Sequence, residues 1–156
     1  MARGRGTSTV WPRDEDGEQT DAALQEVLSP YGIHVSLDTL KVALKAKVDA
    51  AAEIERGKYI TAGAGQAMTY QQKASEAMML EDDPAPDPAA YPLLSAEVGI
   101  TAPTLAEVGS TVRDAHGQWI LIGAAIEGIR LGAKKAIDEA EDADAARAAA
   151  DVSWPT

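Results

Sequence analysis

The sequence has no cysteine and no phenylalanine, and its aromatic residues are limited to three Trp and four Tyr. Because the sequence has no cysteine, disulfides, thiolate catalysis and cysteine-based zinc sites are excluded. For the same reason, cysteine usage gives no indication of the cellular compartment. Alanine dominates the apolar residues, and small side chains bury little area each, at roughly 25 cal/mol per Å². This composition favours long helices that pack closely or that share a core between subunits.

Long apolar runs are also missing, and the charge is mostly of one sign. No run of about 18 apolar residues occurs, so the sequence predicts no membrane span. Met1–Gly6 is positively charged, but no apolar stretch follows, so we expect no signal peptide and a protein that is made in the cytoplasm. The net charge of −11 argues against general nucleic-acid binding, because neutralising phosphates requires clustered Lys and Arg.

No residue pattern predicts a catalytic, cofactor or metal site. The two histidines, His34 and His116, fall in different predicted elements, and neither has a second His or a Cys at ligand spacing. The stretch 63–65 (Gly-Ala-Gly) lacks the preceding strand and the Gly-Lys-Ser/Thr of a phosphate loop. The acidic residues occur in runs typical of solvated surfaces. We therefore predict a protein that is not an enzyme and that needs no cofactor.

Composition divides the chain into four consecutive segments. Residues 1–20 are polar and rich in Gly, and we predict an extended anchoring arm there, because such a segment buries too little apolar surface to order itself. Residues 21–81 are predicted N-terminal helices, residues 82–92 a solvated linker rich in Pro and acids, and residues 93–156 a long helix and a C-terminal tail. The predicted fold class is all-α: the arm plus a helical hairpin or bundle with one long coiled-coil-like helix.

Capping residues predict where the first helices begin. Thr20 and Asp21 can cap a short helix that ends at Leu28. Ser36 can cap a longer helix, which Gly57 interrupts. A third helix is predicted at about 66–80, in which the methionines occur at helical spacing and are interpreted as core filler. These are Met68, Met78 and Met79.

The last and longest helix is predicted to begin at a Thr101 cap, with Pro103 in its first turn. An acidic run at 138–144 opposes the helix dipole, so we expect the helix to fray or restart there. Between these limits, apolar residues recur at alternating spacings of three and four, the pattern of a supercoiled seam. The seam consists of Leu105, Val108, Val112, Ala115, Trp119, Ile122, Ile126, Ile129, Ala133, Ala136 and Ala140.

Two interpretations of this seam stay open. It can join subunits, or it can be the inner face of a helix that packs within its own bundle. Ile at both core positions favours a trimer if the helices are parallel. The same helix contains Gly117, Gly123, Gly128 and Gly132, each costing up to about 1 kcal/mol relative to Ala. We expect that cost to be offset by the close approach of another backbone.

Two Trp-Pro pairs lie near the ends of the sequence, Trp11-Pro12 and Trp154-Pro155. An isolated Trp in a polar segment usually docks into a pocket, either on its own chain or on a partner. We predict Trp11, Pro12 and Trp154 as partner-binding residues, with docking on the same chain as the alternative.

From Leu40 to Trp154 the sequence resembles a helical domain of tail-fibre-associated proteins from tailed phages and prophages. The matching features are the stretch 53–60 (EIERGKYI), the stretch 66–71 (QAMTYQ) after a Gly-containing turn, the stretch 91–94 (YPLL), the long helix with Trp119 and Arg130, and the Ala-rich end before Trp154. The resemblance implies a structural role in the tail, fibre or baseplate region. It carries over no catalytic residues.

The leading functional hypothesis is a virion structural protein that anchors through its arm, binds other tail or fibre proteins and forms homo-oligomers, with a trimer favoured. It would be located in the tail region of the particle. One alternative is a tail-fibre assembly chaperone that binds fibre protein and then leaves. Another is a small acidic regulator or inhibitor of a host protein.

Overall fold

The computed structural model describes residues 11–60 and 63–155, so the predicted arm is described only from Trp11 onward and residues 1–10 lie outside the described part. Within these ranges the regular structure is helical, apart from a single bridge between Val98 and Ala102. The all-α prediction is confirmed. The helices are α1 (Asp21–Leu28), α2 (Leu37–Arg56), α3 (Ala64–Glu81), α4 (Pro92–Ser95), α5 (Leu105–Glu139) and α6 (Ala143–Ala149), with short 3-10 helices at Ser29–Tyr31 and Pro88–Ala90.

The predicted starts of α1 and α2 are confirmed by their side-chain caps. The Thr20 hydroxyl accepts a hydrogen bond from the Ala23 amide at 3.2 Å, and the Ser36 hydroxyl accepts one from the Thr39 amide at 3.2 Å. Each cap satisfies an amide that has no partner within its helix. The restart after α5 is also confirmed: the Asp142 carboxylate accepts from the Ala145 amide at 2.8 Å and begins α6.

The predicted cap of α5 is wrong by one turn. Thr104 caps this helix, since its hydroxyl accepts from the Glu107 amide at 3.3 Å while the Glu107 carboxylate accepts from the Thr104 amide at 3.1 Å. This reciprocal pair is a capping box, which needs an acid three residues after the Thr. Thr101 has Thr104 at that position instead, and its hydroxyl bonds to the Glu97 carboxylate at 2.9 Å.

The chain forms two compact units, each made of two stretches of sequence. Of the described residues, the first unit contains 11–47 and 133–151, and the second contains 48–60, 63–132 and 152–155. Helices α2 and α5 each contribute residues to both units. This division differs from the four consecutive segments predicted, because composition changes along the chain do not show which distant stretches pack together.

In the first unit, α2 and the last turns of α5 bury apolar side chains. Leu40 and Leu44 are buried on α2, and Ala133 and Ile137 are buried on α5. The two helices also make a polar contact. Lys45 on α2 forms an ion pair with Asp138 on α5 at 2.6 Å. The Ala-rich end adds Ala146 and Ala150 to the buried set. Alanine thus supplies much of this interior, as the composition led us to expect.

In the second unit, the core lies among α3, α4 and the start of α5. Its buried members are Ala77, Leu80, Tyr91, Leu94 and Val108, and Ala102, Leu105 and Val112 pack against them. Glu76 is buried beside this core, and its carboxylate accepts hydrogen bonds from the amides of Leu93 and Leu94 at 3.0 and 3.1 Å. These amides begin α4 and have no partner within that helix. The buried carboxylate therefore fixes α4 against α3.

The predicted linker at residues 82–92 is exposed from Pro84 to Ala90, but its end belongs to the core. Tyr91 is buried, and its hydroxyl donates a hydrogen bond to the Asp83 carboxylate at 2.7 Å. This hydrogen bond lowers the pKa of Asp83, because it favours the charged carboxylate. The Pro-rich segment is thus closed by a bond between its two ends.

Candidate partner-binding surfaces

The two histidines lie apart in the fold. His34 belongs to the first unit, where its ring nitrogen Nδ1 lies 3.5 Å from the Gln25 side-chain amide, and His116 lines a cavity of the second unit. Among residues 11–60 and 63–155, no group of three or more His, Asp and Glu side chains is arranged to hold a metal ion. None of the helices in the described ranges is both long and apolar enough to cross a membrane.

The predicted seam is packed inside the chain along much of its length. Val108 belongs to the core of the second unit, with Leu105 and Val112 against it, and Ile126 has no exposed surface. Ile122 and Ile129 are half-buried. These residues thus form an inner face of α5, which corresponds to the second interpretation of the pattern. In this conformation Val108 and Ile126 have no surface left to offer another chain.

The opposite side of α5, which we call the outer face, is also apolar but is exposed. Leu121 is 73% exposed and Leu131 is 52% exposed. At 100° per residue, these side chains lie on one side of the helix with several small residues. The outer face consists of Gly117, Ile120, Leu121, Ala124, Gly128 and Leu131, all of them exposed.

The glycines of the outer face have open surroundings. A Cβ atom added at Gly117 or Gly128, or at the neighbouring Gly132, would meet no atom within 4 Å. At Gly109, by contrast, an added Cβ would lie 2.7 Å from Leu80 Cδ2. Packing within the chain therefore accounts for Gly109 but not for the outer glycines, although a mid-helix glycine costs up to about 1 kcal/mol relative to Ala.

Helix α3 exposes its methionines to solvent. Met68 is 71% exposed, and Met78 and Met79 are about half exposed. The interpretation of these residues as core filler was wrong, because the buried positions of α3 are Ala74, Glu76, Ala77 and Leu80. Helical spacing shows that residues share a face but does not show whether that face is covered. Flexible thioethers suit a surface that adapts to a partner.

A cavity of about 530 Å³ lies in the second unit beside α3 and α5. Its lining is mixed and includes four ring side chains, those of Trp119, Tyr70, Tyr59 and His116. At its edge the Lys73 ammonium forms a 2.5 Å ion pair with Glu97 and lies 5.2 Å from the centre of the Tyr70 ring. The hydrogen bond from Lys73 lowers the pKa of Glu97. Trp119, predicted for the seam, is half-buried in this lining.

A network of ion pairs joins α2 to α5 within the second unit. Arg130 contacts Asp49 at 2.6 Å and Glu127 at 2.7 Å, and Arg56 contacts Glu127 at 2.6 Å and also Glu53. The hydrogen bond from Arg130 lowers the pKa of Glu127. Because the two guanidinium groups are already held by carboxylates, this network fixes the two helices rather than offering free cations.

Trp11 lies in the first unit with its ring only partly covered, at 45% exposure, and Pro12 is half-buried. The following residues form a local turn, because the Asp14 carboxylate accepts from the amides of Asp16 and Glu18 at 3.1 and 2.9 Å. The turn orders the backbone without covering the indole. Trp11 therefore retains apolar surface that a partner can bury.

Trp154 lies in the second unit and is half-buried. The adjacent Pro155 carbonyl accepts a hydrogen bond from the Tyr59 hydroxyl at 3.3 Å. The C-terminal Trp-Pro pair is thus attached to its own unit, the alternative that the sequence left open. Part of the Trp154 side chain is still exposed, and its role in partner binding stays a prediction.

Comparison with known proteins identified no relative of this chain. No protein-family model matches the chain, and no curated protein or solved structure is significantly similar to it.

Sequence reasoning missed the outer face of α5, the exposure of the methionines on α3 and the cavity beside Trp119. The signal for the outer face was nevertheless present. Between Gly117 and Gly132 almost every residue is apolar or small, with Gln118, Glu127 and Arg130 as the exceptions. A helix that is apolar all round is expected to be covered all round, and this chain covers only one side.

Proposed function

We propose that this protein is a structural subunit or adaptor in the tail, fibre or baseplate region of a phage particle, and that it acts by binding other protein chains. The observation that supports a binding role is the amount of large apolar surface left exposed on the long helices. On α5, Ile120, Leu121 and Leu131 lie on one side of the helix and are each more than half exposed. Soluble monomers rarely leave extended apolar surfaces uncovered.

The assignment to a phage tail is supported by the resemblance of the stretch from Leu40 to Trp154 to tail-fibre-associated helical domains. The part played by the arm is supported by Trp11, whose ring is partly exposed beside a proline that stiffens the backbone. Trp is enriched among the residues that dominate interface energies. In this proposal Trp11 and Pro12 anchor the subunit to another tail or fibre protein, and Trp154 provides a second contact.

Mass spectrometry of purified particles tests this proposal. We expect the protein in particles at a fixed copy number relative to the major tail protein. Trp11→Ala should lower that copy number, at a cost of roughly 2 kcal/mol in partner binding, while the melting curve of the isolated protein stays nearly unchanged. Absence of the protein from particles would overturn the structural role. A large loss of intrinsic stability would show instead that Trp11 packs on its own chain.

A second candidate function is a tail-fibre assembly chaperone, and the exposed methionines of α3 favour it. Chaperones that bind incomplete chains need surfaces that accept different shapes, and Met side chains adapt readily. The protein composition of finished particles distinguishes the two functions, since a chaperone is present during assembly and missing from the finished virion. Met68→Ser with Met79→Ser should then reduce the yield of fibres without changing the composition of the particles that form.

A further inference from the structure

We infer that the cavity beside Trp119 is a binding site for a small, neutral aromatic molecule that carries a carbonyl group. The cavity lies within the second unit and has a volume of about 530 Å³, which is in the range of protein cavities that bind small molecules. This ligand goes beyond the proposed structural role, which requires only contacts with other protein chains.

Ring side chains from three parts of the second unit favour an aromatic ligand. Tyr70 belongs to α3, His116 and Trp119 belong to α5, and Tyr59 follows the end of α2. Trp119 and His116 are half-buried, and Tyr59 and Tyr70 are 38% and 46% exposed. Each ring therefore keeps surface that a ligand can cover. A flat aromatic molecule can stack on such rings or meet their edges, which adds to the free energy of burying apolar area.

Small side chains on the two helices help to make the space. Ala67 and Ala74 on α3 and Ala115 on α5 belong to the lining. Alanine is the residue that most favours a helix, so the cavity is formed without weakening either helix. A larger helix-forming side chain at one of these positions would fill part of the cavity, which provides a test of the site.

The charges of the cavity favour a neutral ligand. Of the Asp, Glu, Lys and Arg side chains in the described part of the chain, those of Lys73 and Glu97 line it, and they pair with each other at 2.5 Å. The second oxygen of Glu97 accepts a hydrogen bond from the Thr101 hydroxyl at 2.9 Å. A charged ligand would have to break this pair or lie near a like charge. The net charge of −11 further disfavours an anion.

Unused hydrogen-bonding groups in the lining favour a carbonyl on the ligand. The Lys73 ammonium has three N–H donors, and Glu97 accepts from one of them. The Lys73 side chain is only 15% exposed, so its other donors are largely shielded from water. The side chains of His116 and Gln71 make no hydrogen bond with residues 11–60 or 63–155. A neutral carbonyl oxygen can accept from such donors without adding charge.

Ligand-observed NMR on the isolated full-length protein, with three matched probes, tests this site. Naphthamide, naphthoate and naphthamidine, substituted at the same ring position, share two fused rings and differ in charge. We expect naphthamide to bind with a dissociation constant on the order of 1 mM or lower. The anion and the cation should bind about tenfold more weakly or worse. No binding of naphthamide, or equal or tighter binding of a charged probe, would overturn the inference.

Filling the cavity tests whether the probe binds there. Ala115→Leu enlarges a side chain of the lining and should weaken naphthamide binding about tenfold or more, because the two compete for the same space. Ala124→Leu is the matched control, since Ala124 is also an exposed alanine of α5 but does not line the cavity. Both variants should keep their helical content, because Leu is nearly as favourable as Ala in a helix. Equal binding by the two variants would rule out this site.

The indole N–H resonance of Trp119 locates the probe in the unchanged protein. Its absence from the proton–nitrogen spectrum of Trp119→Phe identifies it. Naphthamide should shift this resonance, whereas that of Trp11, which lies in the first unit, should stay in place. A Trp119 resonance that does not move would contradict the inference even where the filled variant fails to fold. These measurements use the isolated protein, so their failure does not affect the proposed structural role, and absence of the protein from particles does not affect ligand binding.

Discussion

The inner and outer faces of α5 both carry large apolar side chains, but the surroundings of these side chains differ. On the inner face, Val108 and Ile126 are fully buried within the chain. On the outer face, Leu121 and Leu131 remain more than half exposed. The glycines differ in the same way, because Gly109 lies against Leu80 whereas Gly128 has open space around it.

This difference shows what an apolar pattern can and cannot establish. The spacing of three and four residues identifies the side chains that share a face, because it follows from the geometry of one helix. Whether that face meets its own chain, another chain or solvent depends on the neighbouring elements. The following predictions test whether the inner face alone contributes to the stability of the subunit.

The largest expected effect is that of a charge on the inner face. Ile126→Asp should lower the free energy of unfolding by about 4 kcal/mol, because it removes a buried apolar side chain and buries an unpaired carboxylate. Leu121→Asp should lower it by less than about 1 kcal/mol, the effect of an exposed helix position. Denaturant unfolding of dilute protein measures both. Equal losses would mean that the two faces do not differ as the structure indicates.

Loss of the Glu76 carboxylate, which is buried beside the core of the second unit, should have the next largest effect. Glu76→Ala leaves the amides of Leu93 and Leu94 without their acceptor, which should cost about 2–3 kcal/mol. Glu76→Gln keeps an acceptor oxygen and should cost less. Glu81→Ala is the exposed control on the same helix, and its surface ion pair is expected to contribute at most about 1 kcal/mol. If Glu76→Ala leaves the free energy of unfolding unchanged, α4 does not depend on this cap.

Glycine substitutions should change stability in opposite directions on the two faces. Gly128→Ala should raise the melting temperature of dilute protein, since Ala favours a helix by up to about 1 kcal/mol and its Cβ meets no neighbour. Gly109→Ala should lower it, because the new Cβ must displace the buried Leu80 side chain. If both variants gain stability, the contact at Gly109 is looser than described.

The smallest expected effect is a pH dependence from the ion pair at the cavity. Hydrogen bonding from Lys73 places the folded pKa of Glu97 below its ordinary value of 4.5. The resulting stabilisation is fully present above pH 4.5, the unfolded value, and is lost as the pH falls through the folded pKa. Lys73→Met should therefore flatten the acid side of the stability curve. Below pH 4.5, the free energy of unfolding should depend less on pH in Lys73→Met than in the unchanged protein. If the two proteins show the same dependence, the pair does not stabilise the fold.

Much of the helical layout follows from local sequence. Thr20, Ser36 and the acidic run before α6 predicted helix limits correctly, because a cap is an interaction among residues a few positions apart. Thr101 was wrong because two threonines precede α5 and only Thr104 has an acid three residues later. The burial of Tyr91 and Glu76 could not be predicted, since it depends on α3, α4 and α5 coming together.

The sequence by itself determined that the protein is all-α, that it is acidic and rich in alanine, and that α5 is a long helix with an apolar stripe. These properties depend on composition and on contacts within single helices. Only the tertiary structure decided that the stripe with Val108 and Ile126 is covered and that the side with Leu121 and Gly128 is exposed. The physical reason is that burial depends on which distant segments pack together, and helix periodicity is the same whether a face is covered or exposed.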